Sequence, residues 1–180
     1  VGAILNLPKP EKRTIYAREG FVIVALSWIL MSFFGALPFV ISGEIPSIID
    51  AMFEVVSGFT TTGATILVNI EAMSKSLLFW RSSTHYIGGL GVVVFLLLVM
   101  PTASPYRLKL TNMEMSTLSK GGYRYNSSKV IRIITGVYVS FTIVIFLSLW
   151  AAGMTLFDAV NHAFSIAATG GFSTRNLSVG

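Results

Sequence analysis

Phe59-Thr60-Thr61-Thr62-Gly63-Ala64-Thr65 and Ala168-Thr169-Gly170-Gly171-Phe172-Ser173-Thr174 decide how this chain is read. Both lie beside apolar segments long enough to cross a bilayer, yet each is too short and too polar to be a helix in lipid. Threonine and glycine in an extended run expose backbone carbonyls, and glycine reaches backbone conformations that side chains forbid. Irregular backbone at membrane depth is tolerated only where protein buries it or where it lines a watery path. The two runs are therefore expected to be a pair of ion-selectivity loops.

Composition places the rest of the chain around them. Of 180 residues, 53% are hydrophobic and 12% charged, with mean hydropathy +0.74. Soluble domains carry about 25% charged residues, so the deficit points to a membrane protein. The net charge of +5 comes from basic residues that flank apolar spans and form no face, so a nucleic-acid partner is not expected. The chain has no cysteine, which removes disulfide and thiolate chemistry. It starts at Val1 without a methionine and stops just past the second loop, so it is expected to be a fragment.

Outward from the loops, the expected order is all-α. Residues 1–20 read as a juxtamembrane segment, and 21–41 as an uncharged span close to the ~20 residues needed to cross the hydrocarbon core. Pro38 near its far end suggests a break there. Residues 48–59 are too short to cross and read as a helix that enters and stops, with Ser47 as N-cap and Asp50 in the first turn. The loop 60–65 follows, then a second span over 77–100. Residues 101–132 form a polar, basic loop. A third span is expected over 133–157, a second short helix over 158–167, and the second loop over 168–174.

Residues 49–65 overlay residues 157–173 without a gap at an offset of 108. Asp50 meets Asp158, Ser57 meets Ser165, Thr61 meets Thr169, and Gly63 meets Gly171. The fold class is thus an all-α membrane protein of tandem parallel repeats, each span, short helix, glycine loop, span. A ring of loops needs more units than two. Basic residues fix the side. Lys9, Lys12, Arg13 and Arg18 precede the first span, and Arg107, Lys109, Lys120, Arg124, Lys129 and Arg132 fill the loop 101–132. Only Lys75, Arg81 and Arg175 lie with the short helices and glycine loops, beside Glu44, Asp50, Glu54, Glu71 and Asp158. Positive-rich loops stay cytoplasmic, so the filter loops are expected to face outward in a multi-pass cell-membrane protein, under an acidic rim that concentrates cations.

Four passages resemble the Trk/Ktr/HKT superfamily of potassium transporters, closest to its Trk-type (TrkH-like) membrane subunit. They are Ala17-Arg-Glu-Gly-Phe21 with Gly35-Ala-Leu-Pro-Phe39, Gly58-Phe-Thr-Thr-Thr-Gly-Ala-Thr65, Arg81-Ser-Ser-Thr-His-Tyr-Ile-Gly-Gly-Leu-Gly91, and Thr169-Gly-Gly-Phe-Ser-Thr174. The resemblance implies one pore built from four such units in a single polypeptide, of which this chain holds about two. It implies Gly63 and Gly171 as filter glycines, with Thr61, Thr62, Thr169 and Gly170 offering carbonyls to the ion. Potassium is then the transported substrate, with no organic cofactor in this chain. The implied partners are the lipid bilayer, a second copy in a homodimer, and a cytosolic nucleotide-binding regulatory subunit. Sodium-permeating relatives often carry serine at the first-loop glycine, and Gly63 favours potassium. Where family members often have Gln-Trp, this chain has His85-Tyr86.

Carbonyl oxygens replacing a potassium hydration shell give the assignment a physical basis independent of the family. Other readings stay beside it: a structural, non-conducting membrane subunit, or a sodium-permeable or sodium/proton-coupled relative. Asp50 and Asp158 suit a helix-dipole role or an ion contact, and Glu54 and Glu71 a vestibule or surface position. Asp158, His162 and Ser165 share one helix face, but a triad needs a histidine between its partners and an oxyanion hole; no catalytic residue and no enzyme activity are expected. Arg81 and His85 are expected to snorkel or to pair with Glu71 or Asp158. Gly88, Gly89 and Gly91 are expected to let the second span pack closely on a pore helix. Tyr16, Trp80 and Trp150 read as interface aromatics.

Overall fold

The computed structural model describes residues 17–99 and 127–178. Most of the expected juxtamembrane segment, Tyr16, and most of the basic loop lie outside the described residues. Five α-helices and one short 3-10 turn are described: α1 (Ala17–Ile41), α2 (Ile48–Phe59), the turn Ile70–Ala72, α3 (Lys75–Val99), α4 (Ser127–Ala151) and α5 (Leu156–Ala167).

The long helices α1, α3 and α4 are 25 residues each, about 37 Å of helix against a hydrocarbon core of about 30 Å. Gly20–Ile41 and Ile131–Ala151 are long and apolar enough to cross a membrane, with mean hydropathies of 2.2 and 2.1. Their outward surfaces carry unburied Phe21, Ile29, Phe34, Val137 and Val144. In water such a surface would be costly; in lipid it meets a matching solvent. Pro38 does not break α1, which continues to Ile41. It removes one backbone donor near the helix end, where neighbouring structure tolerates the loss.

The apolar run expected as one span over 133–157 divides. α4 ends at Ala151, Gly153 turns left-handed (φ 98) and Thr155 caps a new helix. The N–H of Gly153 reaches Trp150 O (3.0 Å) and that of Met154 reaches Leu149 O (3.2 Å), closing the helix end. The 12-residue α2 and α5 start alike. Ser47 Oγ accepts from Asp50 N–H (3.4 Å), and Thr155 Oγ1 accepts from Asp158 N–H (3.2 Å). Each thereby satisfies an otherwise orphaned donor, and each aspartate lies at the positive end of a helix dipole.

The core joins α1, α2 and α3 through Ala36, Phe39, Ala51, Val55, Phe59, Leu77 and Leu78. Trp80 packs against it, half-buried, and donates from Nε1 to Gly35 O (2.9 Å). Helix α3 then leaves its own repeat and packs on α5 and α4 as well as α2 and α1. Gly88 and Gly89 permit this. A Cβ on Gly88 would collide with the Phe59 carbonyl at the end of α2, and one on Gly89 would stand 3.0 Å from the Ala168 Cβ at the end of α5. The close packing on the short helices expected of Gly88, Gly89 and Gly91 holds for the first two and joins α3 to both, whereas a Cβ on Gly91 would meet Trp28 of α1 (3.6 Å).

Candidate functional site

Both short helices end in the same way, and that shared ending shapes the loops. The N–H of Thr61 reaches Gly58 O (3.0 Å) and that of Thr62 reaches Ser57 O (2.9 Å). At the offset of 108, Thr169 N–H reaches Ile166 O (2.9 Å) and Gly170 N–H reaches Ser165 O (2.8 Å). This is the Schellman ending, which requires one residue in the left-handed region and usually takes glycine. Here threonine occupies it twice, Thr61 at φ 54 and Thr169 at φ 57. A β-branched residue with positive φ is a genuine backbone outlier, and such strain persists only where surrounding structure over-determines it. Two residues on, Gly63 (φ 76) and Gly171 (φ 94) turn left-handed again. Each loop thus alternates its backbone within three residues.

The loops meet. The Gly170 carbonyl oxygen fills the place a Gly63 Cβ would occupy, so Gly63 is glycine for contact as well as for conformation. Among the described residues, no atom beyond its own chain neighbours lies within 4 Å of the equivalent point on Gly171. Thr61, Thr62, Gly63, Thr169, Gly170 and Gly171 are therefore gathered into two adjoining strips of irregular backbone at the C-terminal ends of two helices, each carrying about −0.5 charge.

Behind the strips stands a polar framework. Ser57 Oγ donates to Ala64 O (2.6 Å). Glu54, 1% exposed, accepts from Thr65 Oγ1 (2.8 and 3.1 Å), from Ile66 N–H (3.2 Å) and from Arg81 Nε (2.6 Å). Arg81, 2% exposed, also donates from Nη1 to Ser173 O (3.0 Å), and its guanidinium carbon lies 3.5 Å from the centroid of the Phe172 ring. His85 stacks on the same ring at 3.9 Å and 16°, with Nδ1 3.2 Å from Ser165 Oγ. The expectation that Arg81 and His85 snorkel or pair with Glu71 or Asp158 is overturned, as is a vestibule or surface position for Glu54. Both charges are fully enclosed, and a buried carboxylate needs a buried cation.

In the second repeat the position of Glu54 is taken by His162. Its Nδ1 faces the Asp158 carbonyl (2.8 Å), which makes Nδ1 the donor and leaves Nε2 to accept from Ser173 Oγ (3.1 Å). Ser165 turns instead to His85, so Asp158, His162 and Ser165 do not converge. The Asp158 carboxylate accepts from Thr155 Oγ1 (2.9 Å), Thr174 Oγ1 (2.7 Å) and Arg175 Nη2 (2.9 Å). Burial alone would raise its pKa. The hydrogen bonds from Thr174, Arg175 and Thr155, with the charge of Arg175, outweigh burial and hold it below the usual carboxylate range. Asp158 is thus a structural anion at a helix start. The two repeats are tied once more at the rim, where Asn176 Oδ1 accepts from Ile70 N–H (2.7 Å) and Asn176 Nδ2 donates to Asn69 Oδ1 (2.9 Å).

These features define a class: an all-α membrane protein of tandem span, short-helix and loop units whose loops adjoin. Within that class, the chain belongs to the TrkH family of cation transport proteins, whose family model matches residues 1–180. It is 40% identical over 184 residues to the Trk system potassium uptake protein TrkH of Salmonella typhimurium, covering 100% of this chain and 38% of that protein. It is 38% identical over 165 residues to the Trk system potassium uptake protein TrkG of Escherichia coli, covering 91% of this chain and 34% of that protein. Among solved structures, the potassium transporter TrkH from Vibrio parahaemolyticus superposes with a TM-score of 0.74 at 35% identity, over 97% of this chain and 35% of that one. The chain thus spans little more than a third of the length of the relatives it matches.

Proposed function

We propose that this chain forms two arcs of a potassium-selective filter in a Trk-type uptake protein. Backbone carbonyls of Thr61, Thr62, Gly63, Thr169, Gly170 and Gly171 line the ion's path. The observation that carries this reading is the contact of Gly63 with Gly170 between loops of matching left-handed geometry, at equivalent places in two repeats. Carbonyl rings replace the hydration shell of potassium, and short-helix C-termini aimed at the same place add favourable potential. The named relatives are potassium uptake proteins, which supports potassium as cargo and transport rather than catalysis.

In this reading 21–100 is the first pore repeat and 133–180 the beginning of the second, with the loop 101–132 cytoplasmic and the filter loops outside in the cell membrane. The remaining arcs belong to further repeats. An open groove about 320 Å³ in volume along Ile49, Phe53, Val56 and Thr62 supports this. Its counterpart on α5 is covered by α3, with Phe79 and Tyr86 against Phe164 at 5.9 and 4.5 Å. A homodimer of the whole protein and a cytosolic nucleotide-binding regulatory subunit are the proposed partners, the latter meeting the basic cytoplasmic loop.

The test is Gly63→Ser in the full-length protein reconstituted in liposomes. Uptake of potassium against sodium should lose its preference. A folded variant with unchanged preference would leave these loops as mere packing in a non-conducting role.

A further inference from the structure

We infer that Arg81 is a positioning residue for selectivity, one side chain that bridges the two filter arcs and fixes their spacing at Thr65 and Ser173, apart from the Asn176 tie at the rim. The inference rests on the filter reading above and assigns it a determinant that lies in neither loop.

Arg81 sits on α3, between the repeats, and uses its fork in two directions. Through Nε it holds Glu54 of α2 (2.6 Å), and Glu54 holds Thr65 Oγ1 (2.8 Å) and Ile66 N–H (3.2 Å), at the end of the first loop. Through Nη1 it holds the carbonyl of Ser173 (3.0 Å), near the end of the second. Thr65 and Ser173 are the same position in the two repeats, since 65 plus the offset of 108 is 173. The bracket therefore grips both loops at one level. The guanidinium plane also lies 3.5 Å from the Phe172 ring centroid, which sets its orientation.

This bracket has little freedom. Glu54 and Arg81 are at most 2% exposed, so water cannot replace either partner. Because the Gly63 Cα abuts the Gly170 carbonyl, a shift of one loop relative to the other displaces the proposed carbonyl sites directly. A filter discriminates by where its carbonyls stand and how strongly they coordinate, so the spacer acts on preference. The second repeat has its own internal brace, His162 Nε2 accepting from Ser173 Oγ (3.1 Å), but that bond lies within one repeat and does not set the distance between them. Lysine cannot copy the bracket. A compact ammonium on a flexible stem lacks the planar fork that serves two acceptors while stacking on an aromatic face.

The experiment is Arg81→Lys in the full-length protein, with rubidium uptake into proteoliposomes measured with and without competing sodium. Inserted amount and thermal stability are measured alongside. The expected result is a fall in preference for the larger ion of about tenfold, the size set by losing one charge-assisted hydrogen bond, with uptake still present. A folded Arg81→Lys protein with wild-type preference overturns the inference. Should Arg81→Lys fail to insert, Phe172→Leu leaves the Glu54 pair intact and removes the ring on which the guanidinium and His85 both stack. That variant should lose preference severalfold, and wild-type preference there overturns the inference equally. Gly63→Ser in the same assay separates the two levels. A change on Gly63→Ser with none on Arg81→Lys removes the role of Arg81 alone, whereas no change on either removes the filter reading itself.

Discussion

Replacing Thr61 or Thr169 by glycine should make the protein more stable and less selective. Both residues hold the left-handed position that ends a short helix, at φ 54 and φ 57. An L-residue there costs about 1–2 kcal/mol, and a glycine returns about 0.5–1 kcal/mol of that through the greater freedom of the unfolded chain. The net gain is therefore about 0.5–1 kcal/mol per site, or about 1–2 kcal/mol for the double variant. This chain is 38% of the length of its TrkH relative, and for a protein of that whole length each kcal/mol moves the melting temperature by about 1 °C. Thermal unfolding of the purified full-length protein reads this shift, and ion competition in proteoliposomes reads the functional cost. Thr61→Ala serves as the control. It keeps the Cβ that disfavours positive φ and removes only the hydroxyl and methyl, so it should gain less than the glycine variant and stay within about 0.5 kcal/mol of wild type. A Thr61→Gly protein that melts below wild type would refute the argument, because the threonine would then be held there by contacts worth more than its strain.

Two further outcomes follow from packing and charge. Gly88→Ala should prevent the close approach of α3 to the Phe59 carbonyl and lower stability by about 1–3 kcal/mol, as overpacking does, whereas Gly136→Ala, where nothing lies within 4 Å, should be neutral or stabilising; parallel melting curves check both. Asp158 has a folded pKa below its unfolded value, so its contribution is complete above the ordinary aspartate value of about 3.9 and is lost as pH falls through the lower folded value. Melting temperature against pH should therefore carry an acid-limb component below about pH 4 that Asp158→Asn abolishes.

The repeat, the short helices and the two loops were legible because they are written locally. A constant offset of 108 aligned Asp50 with Asp158 and Gly63 with Gly171, and Ser47 three positions before Asp50 marked where the first short helix begins. The boundary between α4 and α5 was less visible, since the residues around Gly153 are apolar and hydropathy does not report a left-handed turn. Threonine at the left-handed position was not legible at all, because its intrinsic preference opposes that conformation and only the assembled loop imposes it. The Arg81–Glu54 pair was missed for a different reason. The offset sets Glu54 against His162, so the repeat suggested a polar position and concealed a charge partner 27 residues away. A usable signal was present: Ala51, Glu54, Val55 and Gly58 follow the spacing of one buried helix face, and a carboxylate on such a face in a membrane protein calls for a named cation.

The central claim is that two adjoining loops hold potassium through their backbone. The most direct measurement is anomalous scattering from crystals of the full-length protein grown in rubidium, with a matched crystal grown in sodium. The account predicts a rubidium peak between the Thr61–Gly63 and Thr169–Gly171 segments, at coordinating distance from their carbonyl oxygens, and absent in sodium. Rubidium bound only at the acidic rim near Glu71 and Asp158, with nothing between the loops, would contradict it.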